Sequence, residues 1–259
     1  MARRGGVVPA VVPMAEPPRA MELSSRRMKP ASERVQGEWL RRGEAEYRSA
    51  AVTQHLTLWL IQIGASPDLI HDGLRIVKDE LAHASLSHRA YVAAGGVGKP
   101  TLARETLSLG HRDGEPLERD VLRVCVDVYC LGETVAVRLF KELRERCTVA
   151  PARRALDRVL KDEVRHRDFG WALLGWLLET PDGEALRSLA REELPASLLR
   201  LRRMYAPDDL REEPLSAVES TWGLMPAARY AALLEKTIER DYVPRFAELG
   251  IDARAAGAA

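Results

Sequence analysis

One short pattern occurs twice in the chain, and its two copies constrain the fold more than any other feature of the sequence. The pattern K-D-E-x-x-H spans residues 78–83 and again residues 161–166. Both copies lie within long stretches whose apolar residues follow helical spacing. Because residues three apart share one face of a helix, Glu80 projects beside His83 and Glu163 beside His166. The repeat therefore predicts two helices that each present a carboxylate and an imidazole on one face.

The spacing of apolar residues predicts four long helices, of which the second and fourth carry the motifs. They run from about residue 36 to 64, 67 to 94, 117 to 146 and 151 to 178. Ser66-Pro67 is typical of a helix start, and Ala150-Pro151 marks the break before the fourth helix. About 20 residues separate the second and third helices, which is too long for a tight turn and indicates a crossover along a bundle.

The predicted fold class is all-α, a four-helix bundle with a long crossover and additional C-terminal helices. Residues 1–36 are rich in proline, glycine and arginine without periodicity, which predicts a disordered leader. The bundle is assigned to residues 37–180, helices packed on it to residues 181–250, and a frayed tail to residues 251–259. Pro195 and Pro244 are expected to break or kink the C-terminal helices.

The composition argues against several classes of protein. The 39 basic and 38 acidic residues leave a net charge of +1, which does not favour a nucleic-acid partner. No run of 18 apolar residues is present, so no membrane association is expected. The cysteines, Cys125, Cys130 and Cys147, are odd in number and form no CxxC pair. They are interpreted as buried thiols of a cytoplasmic protein rather than as a disulfide framework or zinc site.

Two further carboxylates complete a possible metal site. In an antiparallel helix pair, residues equally far from the connecting loop lie at the same height. Glu133 matches Glu163 across Ala150-Pro151, and it stands in an apolar stretch where an unpaired buried carboxylate would be costly. Glu46 matches Glu80 across the break at Gly64. Glu44 remains an alternative to Glu46.

Other residues near the motifs have predicted supporting roles. A metal-bound histidine usually donates its second ring N–H to a carboxylate, so Asp162 is expected to orient His83 and Asp79 to orient His166. Small or polar side chains one or two turns from the predicted ligands are candidates for a pocket wall. These candidates are Tyr129, Cys130, Thr53, Ser87 and Gly170. For each of them, ordinary packing between helices is the alternative.

The order Glu46, Glu80-x-x-His83, Glu133, Glu163-x-x-His166 resembles the ligand pattern of the ferritin-like di-iron carboxylate proteins. The resemblance covers about residues 37–180. Both motifs have the DExxH form of soluble di-iron oxygenases and rubrerythrin-like proteins, and VLKDEVRHRDFG is similar to a helix of aldehyde-deformylating oxygenases. The resemblance implies two metal ions. Glu46 and His83 would bind one ion, Glu133 and His166 would bind the other, and Glu80 and Glu163 would bridge them.

What the resemblance implies about function leaves several possibilities open. Two iron ions are the expected cofactor, with Mn/Mn or Mn/Fe as alternatives, and dioxygen or peroxide is the expected co-substrate. The first hypothesis is an oxygenase or oxidase that acts on a small organic molecule and takes electrons from a donor. The alternatives are a ferroxidase or iron-handling protein, a peroxide-detoxifying protein similar to manganese catalase, or a protein that only binds partners. A homodimer is also possible.

Overall fold

A computed structural model describes residues 11–13, 30–205 and 214–254. These residues are mostly helical with two short strands, so the protein is all-α, as predicted. The helices are α1 (Glu33–Gln62), α2 (Pro67–Ala93), α3 (Leu117–Val124), α4 (Thr134–Arg146), α5 (Ala150–Glu179), α6 (Gly183–Tyr205), α7 (Ala217–Thr221), α8 (Ala227–Thr237) and α9 (Val243–Glu248). The strands are β1 (Val11–Pro13) and β2 (Thr101–Ala103), which pair antiparallel.

Helices α3 and α4 belong to one helical run, because a π-helical segment, Cys125–Glu133, joins them. This run, α1, α2 and α5 are the four long helices that the sequence predicts. The most extensive helix–helix interface is between α1 and α2. Helix α2 also packs on α5, and α5 packs in turn on the π segment and on α4. Among the described residues, none of the helices combines the length and apolar character that a membrane crossing needs.

Local signals in the sequence explain where the first two helices begin and end. The hydroxyl of Ser32 accepts a hydrogen bond from the backbone N–H of Val35 and caps α1. Gly64 follows α1 with φ of 70°, a left-handed conformation that glycine adopts without strain. Pro67 is in the first turn of α2, where its missing N–H leaves no hydrogen bond unmade.

The segment between α2 and α3 runs alongside α1 and carries the chain back to the opposite end of the helices. The backbone N–H of Thr101 donates to Glu44, in the earlier half of α1, at 3.4 Å. The N–H of Leu109 donates to Nδ1 of His55, further along α1, at 2.9 Å. This connection contains β2 and a 3-10 turn, Arg104–Leu107.

Two apolar cores fill the space between the helices. The larger core includes Leu60, Ile76 and Leu173, and the smaller core includes Trp39 and Leu156. Along each of α1, α2 and α5, the residues of the two cores are separated by buried polar side chains. A polar cluster therefore occupies the middle of the protein, with apolar packing on both sides.

The C-terminal helices pack on the four long helices: α6 contacts α3, α5 and the π segment, and α8 contacts α4. Helix α6 continues through Pro195, so of the predicted break or kink the break does not occur. Pro244 lies in the first turn of α9, directly after a second π-helical segment, Ile238–Tyr242. The helical run from α8 thus passes Pro244 without a break.

The predicted ends of the chain need correction. Helix α1 begins at Glu33, inside the predicted leader, and β1 pairs with β2, so these parts of the leader are ordered. The other residues of 1–29 lie outside the described residues. In the predicted tail, Ile251 and Ala253 are buried in the larger core. Just before them, the carbonyl oxygen of Gly250 accepts a hydrogen bond from Arg191 of α6. Residues 255–259 lie outside the described part.

Gly170 on α5 permits the closest approach between α5 and the π segment. A Cβ atom at Gly170 would lie 2.4 Å from the Cβ of Tyr129 and 2.9 Å from its carbonyl carbon. We expect Gly170→Ala to lower the free energy of unfolding by about 1–3 kcal/mol, since both helices would have to move apart. Gly175→Ala on the same helix is the control, because no atom would lie within 4 Å of the added Cβ.

Urea unfolding of the two variants measures this difference. Gly175→Ala is expected to leave stability unchanged or to raise it by up to about 1 kcal/mol, the usual gain from replacing glycine within a helix. Equal stability of the two variants would show that Gly170 is not needed for close packing.

Candidate metal centre

The six side chains predicted as metal ligands converge in the middle of the protein. All six are buried, and each exposes less than a tenth of its surface. Glu46 comes from α1, Glu80 and His83 from α2, Glu133 from the end of the π segment, and Glu163 and His166 from α5. Glu44, the alternative to Glu46, lies outside this cluster and accepts the hydrogen bond from Thr101.

One group of four potential ligand atoms forms around His83. Its Nδ1 atom lies 3.5 Å from Glu80, 3.8 Å from Glu46 and 3.8 Å from Glu163. Atoms of these four residues all lie within 4.8 Å of one another, so they could hold a metal ion.

A second group of potential ligand atoms forms around His166. Its Nδ1 atom lies 3.3 Å from Glu80 and 3.4 Å from Glu163. Glu80, Glu133 and His166 likewise offer ligand atoms within 4.8 Å of one another. Glu80 and Glu163 therefore each contact both histidines, as the resemblance implies for bridging carboxylates.

The cluster contains buried atoms that no hydrogen bond from the described residues satisfies. These atoms are Glu80 Oε2, His83 Nδ1, Glu163 Oε2, His166 Nδ1 and His166 Nε2. Metal bonds of about 2.1 Å at angles of about 90–109° separate neighbouring ligand atoms by roughly 3.0–3.4 Å. The shortest contacts of the histidine Nδ1 atoms, 3.3–3.5 Å, are close to that spacing. The unsatisfied oxygens of the glutamates and the two Nδ1 atoms thus fit a bound cation, whereas Nε2 of His166 faces Asp79.

The electrostatics of the cluster also indicate a cation. Burial raises the pKa of Glu46 to about 7 and that of Glu163 to about 8. Burial and the neighbouring Glu163 raise the pKa of Glu133 as well. Four carboxylates this close cannot all be ionised unless positive charge lies among them. Without metal, protons supply that charge, and a metal ion would displace them.

The histidines supply part of the compensating charge, and Glu80 benefits from it. Burial lowers the pKa of His83, but contacts with Glu46 and Glu80 outweigh it and raise the value to about 12. Burial would raise the pKa of Glu80, whereas its contacts with His166 and His83 hold it below its ordinary range. Ser49 of α1, which the sequence reasoning did not single out, donates a hydrogen bond to Glu80 at 3.0 Å.

The two aspartates of the motifs lie behind the histidines in the crossed arrangement that the sequence predicts. Nε2 of His83, on α2, lies 3.1 Å from Oδ2 of Asp162, on α5. Nε2 of His166 faces Oδ2 of Asp79 at 3.6 Å. Asp162 can therefore fix the orientation of His83 through a hydrogen bond, so that its Nδ1 atom points into the cluster. Asp79 lies only at ion-pair distance from His166, whose Nε2 atom makes no hydrogen bond with the described residues.

Two arginines of α5 hold both aspartates, and the sequence analysis missed them. Arg158 pairs with Asp162 and lies 3.0 Å from Asp79. Arg165 lies 2.6 Å from Asp79 and 2.9 Å from Asp162. The signal was present, because these arginines lie four residues before and three after Asp162, on its own helix face.

The five residues suggested for a pocket wall lie between packed helices. The hydroxyls of Thr53 and Tyr129 are 2.6 Å apart, and the thiol of Cys130 donates to the carbonyl oxygen of Gly170 at 3.5 Å. Ser87 is buried on α2 near Gly43 of α1. The space beside Gly170 is filled by Tyr129, so this glycine provides close packing rather than room for a substrate.

The cavity that reaches the cluster opens between α1 and α4 instead. It has a volume of about 280 Å³, and Glu46, Glu80, Glu133 and Glu163 form its inner end. Apolar side chains of α4, including Ala136, Leu139 and Phe140, form one wall. The polar side chains Glu38, Arg42 and Ser49 of α1 lie in the other wall. The sequence did not indicate this cavity, since its walls come from distant parts of the chain.

Comparisons with known proteins give no match, whether with protein-family models, with curated proteins or with solved structures.

Proposed function

We propose that the protein is a ferritin-like dinuclear metal oxidoreductase that activates dioxygen to oxidise a small organic molecule. The observation that carries the proposal is the cavity of about 280 Å³ that ends on four buried glutamates. An iron store does not need such a cavity, whereas an enzyme needs space for its substrate beside the metal ions. The long crossover and two helix pairs are typical of the ferritin-like arrangement.

Two divalent ions suit the charges of the cluster. Four glutamates carry four negative charges when ionised, and two divalent cations neutralise them. Glu46 and His83 would hold one ion, Glu133 and His166 the other, and Glu80 and Glu163 would contact both. Oxygen and imidazole ligands without a thiolate favour iron or manganese. When bound, two such ions supply the electrons that reduce dioxygen.

The residues of this chain would contribute position and enclosure. Asp162 and Asp79 keep the histidine Nδ1 atoms directed at the ions, and the two apolar cores exclude water from both sides. The apolar wall of α4 places an organic molecule against the carboxylates, so that it meets the site away from bulk solvent. An electron donor is required for a catalytic cycle, and we propose that a separate reductant supplies it.

Metal analysis and oxygen uptake test this function. Protein expressed in medium with iron and manganese is expected to retain close to two ions per chain. Ferrous-loaded protein should then consume dioxygen, and a small organic substrate with a reductant should raise the rate. A chain that binds no metal would refute the proposal. Uptake of hundreds of irons per assembly would indicate storage, and rapid peroxide dismutation by manganese-loaded protein would indicate a catalase.

A further inference from the structure

Arg42 is a buried cation at the side of the cavity, one helical turn before Glu46. Its side chain is 9% exposed. Nε donates to Glu38 at 2.9 Å, and Nη2 donates to the carbonyl oxygen of Gly223 at 2.9 Å. The guanidinium also lies 4.7 Å from the ring centre of Trp39. These contacts hold the plane of the guanidinium in one orientation.

Nη1 of Arg42 has no hydrogen-bond partner among the described residues, although it is buried. A buried donor of a charged group is costly to leave unpaired, so such atoms normally have a partner. A carboxylate is the natural acceptor for a guanidinium, because its oxygens match the donor geometry. Arg42 lines the cavity, and the hydroxyl of Tyr230 interacts with it there. An anionic group of a ligand in the cavity would give Nη1 the charged acceptor that a neutral phenol does not provide.

The charged side chains along the cavity determine which way round such a ligand would bind. A second cavity of about 450 Å³ adjoins the first, because Glu38 and Tyr230 border both. Arg34 and Arg41 also border the second cavity, but Arg41 is 67% exposed and solvent screens its charge, so Arg42 is the buried cation at this end. The opposite end consists of the four glutamates of the cluster. A carboxylate is attracted to the arginine end and repelled from the glutamate end.

The wall opposite Arg42 is apolar and continuous along α4. Ala136, Leu139, Phe140 and Leu143 border the cavity at helical spacing. A hydrocarbon chain that follows this wall leads from the level of Arg42 towards Glu133. A volume of about 280 Å³ corresponds to about nine water molecules at about 30 Å³ each. A molecule of about ten non-hydrogen atoms, such as octanoate, would fill it.

We infer that the cavity binds an amphipathic carboxylate, with its carboxylate on Arg42 and its hydrocarbon chain directed along α4 towards the metal ligands. The inference names the substrate class of the proposed enzyme and rests on that function. The hydrocarbon end, not the carboxylate, then lies nearest to the site of oxidation. Tyr230 borders the same region, and burial raises the pKa of its hydroxyl, so it remains a hydrogen-bond donor at neutral pH.

Calorimetric titration of the full chain, freed of metal by a chelator, tests the inference with octanoate as the probe. Octanamide is the matched neutral probe, because it has the same number of non-hydrogen atoms. Octanoate is expected to bind, and octanamide to bind at least about tenfold more weakly. Arg42→Met should weaken octanoate binding by about 10- to 100-fold, the effect of one hydrogen bond to a charged group. It should also remove the preference for octanoate.

Arg42→Met could lose affinity for octanoate simply because it fails to fold. Two further variants therefore test the same contact without removing Arg42. Glu38→Gln removes the one negative charge beside Arg42, while the glutamine carbonyl can still accept from Nε, so octanoate should bind more tightly. Arg41→Met is the control, because Arg41 pairs with the same glutamate at 2.9 Å but is 67% exposed. It should change octanoate affinity by less than about twofold, as expected for a screened surface charge.

Several results would overturn the inference. The inference is wrong if the protein binds octanoate and octanamide equally well, or if Arg42→Met leaves the affinity for octanoate unchanged. It is also wrong if Glu38→Gln does not raise that affinity, or if Arg41→Met lowers it as much as Arg42→Met does. Metal content of untreated samples from the same preparation separates this inference from the proposed function. Two bound ions without octanoate binding would refute only the substrate class. Octanoate binding to a chain that never binds metal would refute only the oxidoreductase.

Discussion

Glu80→Gln is expected to abolish metal binding, whereas Glu46→Gln should retain one ion per chain and Glu44→Gln both. Glu80 contacts Nδ1 of both histidines, at 3.5 and 3.3 Å, so the charge of its carboxylate serves both metal positions. Glu46 belongs only to the group around His83. Loss of a ligand should weaken binding by more than the roughly 10- to 100-fold that loss of an outer hydrogen-bond partner costs.

Equilibrium dialysis against ferrous or manganous ions, followed by elemental analysis, measures these stoichiometries. Glu44→Gln is a close control, because it makes the same chemical change two residues from Glu46 on the same helix. Glutamine keeps the shape of glutamate, so circular dichroism should show unchanged helix content in all three variants. Equal metal content in Glu44→Gln and Glu46→Gln would show that Glu46 is not a ligand.

Metal-free protein is expected to lose stability as the pH rises from about 5 to 8. Burial raises the folded-state pKa of Glu46 to about 7 and that of Glu163 to about 8, from an ordinary value of 4.5. The folded state therefore binds more protons than the unfolded state between these values, and its advantage disappears as they are released. His83 acts in the same direction above its ordinary value of 6.5, because its folded-state pKa is raised to about 12.

The loss should be on the order of several kcal/mol, since one pKa unit corresponds to about 1.4 kcal/mol. Urea unfolding with a chelator at pH 5, 6, 7 and 8 measures it. Glu163→Gln should reduce the slope, because one of the titrating groups is removed. Metal should reverse the trend, because ions displace protons and bind more tightly at higher pH. Metal-free stability that rises over this range would contradict the prediction.

The sequence was most informative where the spacing of two residues along a helix determines that their side chains are neighbours. An i, i+3 pair on a helix must share a face, so Glu80 and His83 could be placed together before any fold was known. Glu46 and Glu133 required the additional assumption of antiparallel helix pairs. Symmetry about the loops was sufficient to select Glu133, but it left Glu44 as an alternative to Glu46. The crossed positions of Asp79 and Asp162 followed from the same symmetry, because each motif repeats the aspartate.

The cavity and the π segment could not be predicted from the same signals. The cavity walls come from α1 and α4, whose residues are about a hundred positions apart in the sequence. The spacing of apolar residues over 117–146 is typical of one regular α-helix. Nothing in that spacing shows that residues 125–133 form π-helical hydrogen bonds, between residues five apart, instead of α-helical ones, between residues four apart. Tyr129 and Cys130 were candidates for a pocket wall on that assumption, whereas in the π segment they pack on Gly170 of α5.

The two arginines that pair with Asp79 and Asp162 connect both histidines of the cluster to one helix. Arg158 and Arg165 both belong to α5, yet through Asp162 and Asp79 they support the histidines of α2 and α5 alike. The equivalent positions around Asp79 are Arg75 and Ala82, so α2 lacks the second of these supports. A displacement of α5 would disturb both histidines at once. The repeated sequence thus produces a cluster whose two halves are similar in composition but share one rigid support on α5.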